Sequence, residues 1–305
     1  MKLTDEQEAE IESQRTTTHS TRRVISPGIE DILFSAIPVL DHGFIRVTDY
    51  MGCDESIVQA ARVSYGTGTK KTRNDEGLIR FLMRHRHTTP FEMCEIKLHV
   101  KLPLFVARQW IRHRTASVNE YSARYSKLDN EFYIPAPEHL SAQSTGNRQG
   151  RGEVLAGSEA EEVLRILRDD CARNYAHYEH MLNAGETRQG LARELARMNL
   201  PANVYTQWYW KIDLHNLLHF ILLRNDPHAQ YEIRCYAGAI EDVVRAWCPI
   251  AWQAYKDYMS NASTLSARDI DLIKRRLRGE DVTLESSGLT RREWTELLDI
   301  IDLTQ

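Results

Sequence analysis

The chain has 305 residues, 42% hydrophobic and 27% charged, with 39 Lys and Arg against 43 Asp and Glu for a net charge of −4. That apolar share is enough to bury a core in one large or two small domains. The missing basic excess argues against a nucleic-acid duplex as partner, because such a protein must neutralise phosphates, and no run of about 18 apolar residues marks a membrane span. Five cysteines (Cys53, Cys94, Cys171, Cys235, Cys248) form no C-x-x-C pair and are odd in number, so they read as reduced thiols of a cytoplasmic protein. The start, MKLTDEQEAEIESQR, lacks the basic-then-apolar order of a signal peptide.

Residues 1–30 are polar and read as a mobile extension. The body is expected to start near Ile32, with a short strand over Phe44 to Val47. Asp54 reads as the N-cap of a helix through Ile57, Ala60, Ala61 and Val63. Residues 72–76 precede a second helix with Leu78, Ile79, Leu82 and Met83 on one side, and Pro90 breaks it. From Phe91 to Leu102 the alternation places Cys94, Ile96, Leu98, Val100 and Leu102 on one face, a half-buried strand. Pro103 suits the first turn of a helix over Leu104 to about Arg112.

Residues 141–153 (SAQSTGNRQGRGE) read as a polar loop. Leu164, Leu167, Cys171, Tyr175, Tyr178 and Leu182 then recur at steps of three and four, the stripe of a long helix ended by Ala184-Gly185. A shorter helix runs to about Met198 and stops at Pro201. VYTQWYWKI (204–212) is aromatic and β-branched and fits a strand or an extended helix turn. Asp213 caps a helix through Leu214, Leu217, Leu218 and Ile221. Ile233, Tyr236, Ala237, Ile240, Val243, Val244 and Trp247 mark the last strong helix, closed by Pro249. From about 260 the chain turns charged and weakly apolar, with two helical pieces (267–278 and 290–303) that form an appendage after a catalytic body spanning 31–259. The class is α+β and helix-rich, with few strands.

The densest polar cluster runs from Arg112 to Tyr125: Arg112-His113-Arg114-Thr-Ala-Ser117-Val-Asn119-Glu120-Tyr121-Ser122-Ala123-Arg124-Tyr125. Gathering three arginines and a histidine is costly without an anion or acid partner. Arginine's planar fork suits phosphate, while Ser117, Asn119 and Ser122 suit a base edge and ribose. On chemistry alone, a solvated basic helix end followed by a loop is the competing reading.

At every fixed position this segment matches R-H-R-x-x-S-x-N-E-x-S-x-R-Y, and so resembles the signature of the flavin-dependent thymidylate synthases. The likeness extends to Gln109-Trp110 before it, to His85-Arg86-His87-Thr88-Thr89-Pro90-Phe91-Glu92, and to Leu200-Pro201, Tyr205-Thr206, Asp213-Leu214-His215, His219-Phe220, Leu223-Arg224 and Asp226 to Ile233. It covers about 45–255.

The resemblance implies a helix-rich fold with a small, mostly antiparallel sheet. It also implies reductive methylation of dUMP to dTMP, with 5,10-methylenetetrahydrofolate as carbon donor and FAD, reduced by NADPH, as hydride source. Carried over, dUMP binding falls on Gln109, Trp110, Ile111 and Arg112, on Glu120, Tyr121, Ser122, Ala123 and Arg124, and on Arg197 and Arg224. FAD binding falls on His87, Thr89, Arg112, His113, Arg114, Glu120, Asp213, Leu214, His215 and His219. Asp213 and His215 stand where some members have Asn and Arg. Arg224 is the residue that polarises the uracil. The family also implies a homotetramer with sites between subunits.

No cysteine lies in the signature, in keeping with a hydride and folate scheme in place of a cysteine nucleophile. Ser122 would need a base within reach, itself oriented by a third group; the sequence shows no such triad, so Ser122 reads as a positioning residue. His85 and His87, without cysteine or a further acid at fixed spacing, do not make a zinc set, and no metal is assigned. The cluster Tyr205, Trp208, Tyr209, Trp210 reads as core or subunit contact, and secondarily as a stacking surface for folate. Lys274 to Arg278 reads as a solvated helix face. A nucleic-acid or nucleotide-binding module that uses the basic segment without turnover is the alternative; it would be colourless, whereas the flavoenzyme would be yellow and bleach with NADPH. No G-x-G-x-x-G appears to choose between NADPH and NADH.

Overall fold

A computed structural model describes residues 4–65, 75–145, 150–185 and 189–301. The N-terminal stretch holds a helix, α1 (Asp5–Thr16), where composition alone suggests an extension without structure. Thr4 accepts from the Gln7 backbone and the Gln7 side chain returns to Thr4, a capping box, and three acids sit in the first turn, where the helix dipole favours them. α1 buries no residue; Arg15 ties it down by donating to the Leu33 carbonyl and to Ser35. The packed body begins at Ser26, earlier than Ile32. Ser26 Oγ donates to the Trp247 carbonyl at 2.7 Å, and the short helix α2 (Pro27–Glu30) buries Ile29 completely.

Strands β1 (Ala36–Val39) and β2 (Gly43–Met51) form an antiparallel hairpin, and β2 extends past the expected Val47. Gly43 is required at its root: a Cβ there would lie 2.1 Å from Tyr236 Oη and 2.6 Å from the Val39 carbonyl. Helix α3 (Asp54–Arg62) is capped by Cys53 and not by Asp54. The Asp54 carboxylate turns away to accept from the backbone of Ile250 and Ala251 at 3.0 and 2.9 Å, so it caps a helix almost two hundred residues downstream. Helix α4 (Asp75–Arg84) buries Ile79, Leu82 and Met83 as its spacing predicts; Thr72 to Asn74 lie outside the described residues. Pro90 starts a short helix, α5 (Thr89–Glu92), because a proline at the first turn forfeits no helical hydrogen bond. Strand β3 (Glu95–Pro103) therefore begins later than Phe91, with Ile96, Leu98, Val100 and Leu102 buried as expected.

Helix α6 (Leu104–Trp110) follows, with Pro103 as its N-cap, and leads into strand β4 (Ser117–Glu120), exposed along its length. The polar stretch expected as a loop pairs into a small hairpin, β5 (Ser141–Gln143) with β6 (Arg151–Val154). The long helix α7 (Gly157–Leu182) buries Leu164, Cys171, Tyr175 and Tyr178 of the predicted stripe and leaves Leu167 and Leu182 half-buried. After α8 (Arg193–Ala196) and a 3-10 turn over Arg197–Asn199, residues 205–213 resolve as strand β7 (Tyr205–Asp213). Helix α9 (Leu214–Arg224) is capped by Asp213, which accepts from the Asn216 backbone. Helix α10 (Tyr231–Trp247) buries all seven residues of its predicted stripe. Pro249 then opens α11 (Pro249–Tyr255), which runs into a π turn over Lys256–Ser260.

The sheet order is β1-β2-β3-β7-β4, antiparallel throughout. β3 and β7 pair over nine residues, from Glu95↔Asp213 to Pro103↔Tyr205. Period-two alternation sorts β7: Trp208 and Trp210 are buried while Tyr209 is 43% exposed on the other face. On the buried face, Trp110 packs edge-on against Trp208 and Trp210 and against Phe220 of α9 and Tyr236 of α10. On the polar face, His99 stacks on Tyr209 with ring centres 5.0 Å apart and bonds Gln207 at 2.9 Å. Burial, reinforced by Arg46 nearby, lowers His99 to about 4.

The chain divides into two compact units, Met1–Gln253 and Ala254–Gln305. The second holds α12 (Ala267–Leu277), α13 (Leu284–Ser287) and α14 (Arg291–Ile300), each opened by a capping box. Such caps contribute about 1 kcal/mol apiece. Leu272, Val282 and Leu297 form its own small core, with Trp294 packed against them. No described helix is long and apolar enough to cross a membrane.

Candidate functional site

Helix α6 ends at Trp110, and the signature begins one turn beyond it. The amphipathic helix sends Trp110 inward, fully buried. Its side chain packs in the core. Ile111, 42% exposed, faces outward with Arg112 and Arg114, and neither arginine has an ion-pair partner among the described residues. Gln109 is half-buried with its Oε1 unpaired.

Between the two arginines His113 turns inward. Its ring lies 5.5 Å from Phe220, 5.9 Å from His219 and 6.3 Å from Trp210, centre to centre, and its Nε2 bonds Thr115 Oγ1 at 3.0 Å. Burial lowers its pKa to about 4; the positive fields of His219 and Arg224 push the same way, and Asp213 opposes them. His113 is thus a neutral imidazole at pH 7, able to donate or accept one hydrogen bond from each ring nitrogen.

Helix α9 supplies the facing residues. His215 and His219 fall four apart on its outer side, half-buried and exposed respectively. Asp213 is committed to capping, accepting from the Asn216 backbone at 2.9 Å and from Asn216 Nδ2 at 2.7 Å. Leu214 is completely buried, its side chain packed in the core like that of Trp110. At the last turn stands Arg224, half-buried. Its Nε is buried without a partner, and burial holds the guanidinium below the ordinary arginine range. The nearest acids along the chain, Asp226 and Glu232, are engaged elsewhere: Asp226 with His228 at 3.0 Å and Glu232 with Arg151 at 2.6 Å.

A second group forms at β4 and beyond. Glu120 accepts from Thr206 Oγ1 at 2.8 Å, fixing the carboxylate against β7. The Tyr121 backbone donates to Gln207 O at 2.8 Å, and its hydroxyl donates to Lys127 O. Ser122 Oγ accepts from the Arg124 backbone, and among the described residues no base bonds to it. Ala123 is buried. Arg124 pairs with Glu194 at 3.0 Å, and Arg197 Nε donates to the Glu194 carbonyl at 3.3 Å. Glu194 is therefore the hinge that brings these two arginines together. Sequence reading missed it, and only its place three residues before Arg197 could have pointed to it.

A third group is apart. His87 and Thr89 line a cavity of about 1510 Å³ that contains no signature residue. Arg86, at φ 57°, ends α4 in the left-handed region. There the Arg86 and His87 amides return to the carbonyls of Met83 and Leu82 at 3.2 and 2.9 Å, a Schellman closure. That conformation costs a non-glycine residue roughly 1–2 kcal/mol, and it turns His87 towards the cavity. Within one chain the expected ligand residues thus fall into three groups, with α5 packed on α9 as the link between cavity and signature side.

Comparison with known proteins identifies the family. The model of the family described as thymidylate synthase complementing protein matches residues 46–250. A flavin-dependent thymidylate synthase of Ruegeria pomeroyi is 66% identical over 301 residues, covering 99% of each chain. One of Gluconobacter oxydans is 60% identical over 302 residues, again with 99% coverage of both. Among solved structures, a UMP/dUMP methylase from Streptomyces cacaoi bound with 5-Br UMP aligns at a TM-score of 0.64 and 31% identity, covering 73% of this chain and 97% of that one.

Proposed function

The chain belongs to the thymidylate synthase complementing protein family, and on that premise we propose that it methylates dUMP to dTMP, with 5,10-methylenetetrahydrofolate as carbon donor and FAD, reduced by NADPH, as hydride source. The observation that carries this reading is Arg224: a half-buried guanidinium with an unpaired Nε, beside a neutral His113 at the start of the signature. A desolvated cation without a partner is expensive, and an anionic ligand or developing charge would supply the partner. The fit to a flavin nucleotide rests on the same ground, since Arg112 and Arg114 are exposed forks without carboxylates and suit a diphosphate.

FAD, when bound, supplies hydride-transfer chemistry that no side chain possesses. Arg112 and Arg114 would hold its phosphates, with His113, His215, His219 and Thr89 placing its ring and ribose. Arg124 and Arg197, gathered by Glu194, would take the dUMP phosphate, displacing the exposed Arg124–Glu194 pair, which is worth at most about 1 kcal/mol. Glu120, oriented by Thr206, would bond the sugar or base. Arg224 would orient the uracil and stabilise negative charge as it builds on the ring. Ser122 has no base within reach and stays a positioning group. Burial raises the thiols of Cys171, Cys235 and Cys248, the reverse of what an attacking cysteine needs.

The separation of the ligand residues into three groups supports a homotetramer whose sites gather side chains from more than one copy; its five free thiols fit a cytoplasmic setting. The test is direct. The purified protein should show a flavin absorption band that bleaches with NADPH, form dTMP from dUMP and methylenetetrahydrofolate, and scatter light as a tetramer. A colourless protein that binds dUMP without turnover would overturn the reaction; a fully active monomer would overturn the assembly.

A further inference from the structure

The segment Thr21–Ile25 precedes the stretch matched by the family, 46–250, yet it forms a wall of the 1510 Å³ cavity that holds His87 and Thr89. Much of the remaining wall is apolar. Phe81 and Met51 are 51% and 49% exposed there, an unusual surface to leave in water unless something flat covers it. At the N-terminal wall stand two guanidiniums, Arg22 and Arg23, and neither has an ion-pair partner among the described residues. The described carboxylate that lines the cavity, Glu30, is engaged by the Tyr50 hydroxyl.

The segment is held in place from directly behind. The Ser26 amide donates to Tyr50 Oη at 3.1 Å, its hydroxyl donates to Trp247 O at 2.7 Å, and Ile29 is completely buried. Arg22 and Arg23 therefore stand on a fixed root and not on a loose tail. A cavity with a largely apolar wall and two planar cations at one side suits an elongated ligand: rings against Phe81 and Met51, an anionic end in the arginine forks.

We propose that Arg22 and Arg23 form an anion clamp on this cavity, holding the diphosphate or carboxylate end of a ring-bearing ligand of the reaction. The assignment rests on the flavin- and folate-dependent reading given above. Three ligands of that reaction carry both rings and such an end: FAD, NADPH and the glutamate-tailed folate. dUMP is assigned to the signature and should be indifferent to the clamp.

The test compares the full-length wild type with Arg22→Gln/Arg23→Gln and Arg22→Lys/Arg23→Lys, each checked by its melting temperature. FAD affinity is read by flavin fluorescence on the apoprotein, NADPH by the rate of flavin bleaching, and folate by the KM for mono- and polyglutamylated methylenetetrahydrofolate. The Gln pair should weaken one of the three by about tenfold or more, since each lost charge-assisted contact is worth about that, with dUMP binding unchanged. The Lys pair, which keeps charge but not the fork, should fall between. The arm that moves names the ligand, and a larger effect on polyglutamylated folate assigns the tail. All three constants within twofold of an active wild type, in a normally folded Gln pair, would overturn the clamp. A wild type that binds no flavin and forms no dTMP would instead overturn the reaction, and the clamp with it.

Discussion

Truncating Arg224 to alanine should separate function from stability. The guanidinium has an unpaired buried Nε and no carboxylate partner among the described residues, and burial already disfavours its charge. Removing it strands no buried acid. Unfolding free energy should therefore stay within about 1 kcal/mol of wild type, the loss of stem packing offset by relief of desolvation. Removing one partner of a true buried ion pair would cost about 3–5 kcal/mol. Turnover should behave oppositely, because a lost preorganised donor withdraws about 2–4 kcal/mol of transition-state stabilisation, on the order of 10²–10³ in rate. Arg224→Lys keeps the charge without the planar fork and should be intermediate in both dUMP affinity and rate. The assay is dTMP formation at saturating folate, with urea unfolding and flavin content on the same preparations. Near-normal dTMP formation, loss of FAD in place of dUMP, or a stability loss of ion-pair size would each refute the reasoning.

Further outcomes follow from groups remote from Arg224. His99 is held at about 4 against an ordinary 6.5. Between those values the unfolded chain takes up a proton that the native one refuses, so stability is kept above pH 6.5 and falls as pH drops towards 4, by roughly 3 kcal/mol. His113 shifts in the same direction; urea midpoints from pH 7 to 4.5 should fall more steeply for wild type than for His99→Gln, and equal slopes would discard the idea. Asp54→Ala should cost at least about 2 kcal/mol, because it leaves the Ile250 and Ala251 amides unpaired; a melting curve like that of wild type would show the cap to be idle. Replacing each cysteine singly with Ser or Ala should leave turnover within about an order of magnitude, given the thiols that burial raises. Loss of dTMP formation at normal flavin content would instead expose a cysteine nucleophile.

Where one physical rule decides the structure, the sequence was sufficient. The stripes of α7 and α10 and the alternation of β3 came out as read because burial of a periodic face leaves little choice. Residues 204–212 stayed ambiguous because aromatic and β-branched side chains suit any buried setting; only pairing with β3, a hundred residues earlier, makes them a strand. Asp54 reads as a cap from local spacing, and it is one, but of α11, a partner that no local pattern can reveal. At the site, the signature named the residue types, and the fold sorted them. It sends Trp110 and Leu214 into the core, commits Asp213 to capping, and joins Arg124 to Arg197 through Glu194. Arg22 and Arg23 had no local signal, since an extension rich in polar residues looks alike whether it wanders or lines a cavity.

The ties between the two ends of the first unit bear on how the protein is made. Ser26 reaches Trp247, Gly52 accepts from the Trp247 indole, and Asp54 caps Ala251, while β3 waits for β7 to complete the middle of the sheet. The bonds to Trp247 and Ala251 cannot form until some two hundred more residues have left the ribosome, and the β3–β7 pairing waits for about a hundred. During translation the first strands would emerge with β3 lacking one neighbour and its apolar face uncovered, a state open to mispairing. Loop closure over such spans also makes folding slow relative to local helix formation. Synthesis of this chain should therefore depend on chaperones that shelter the early strands, and its yield should respond to translation speed before residue 251 more than to anything in the helices that follow.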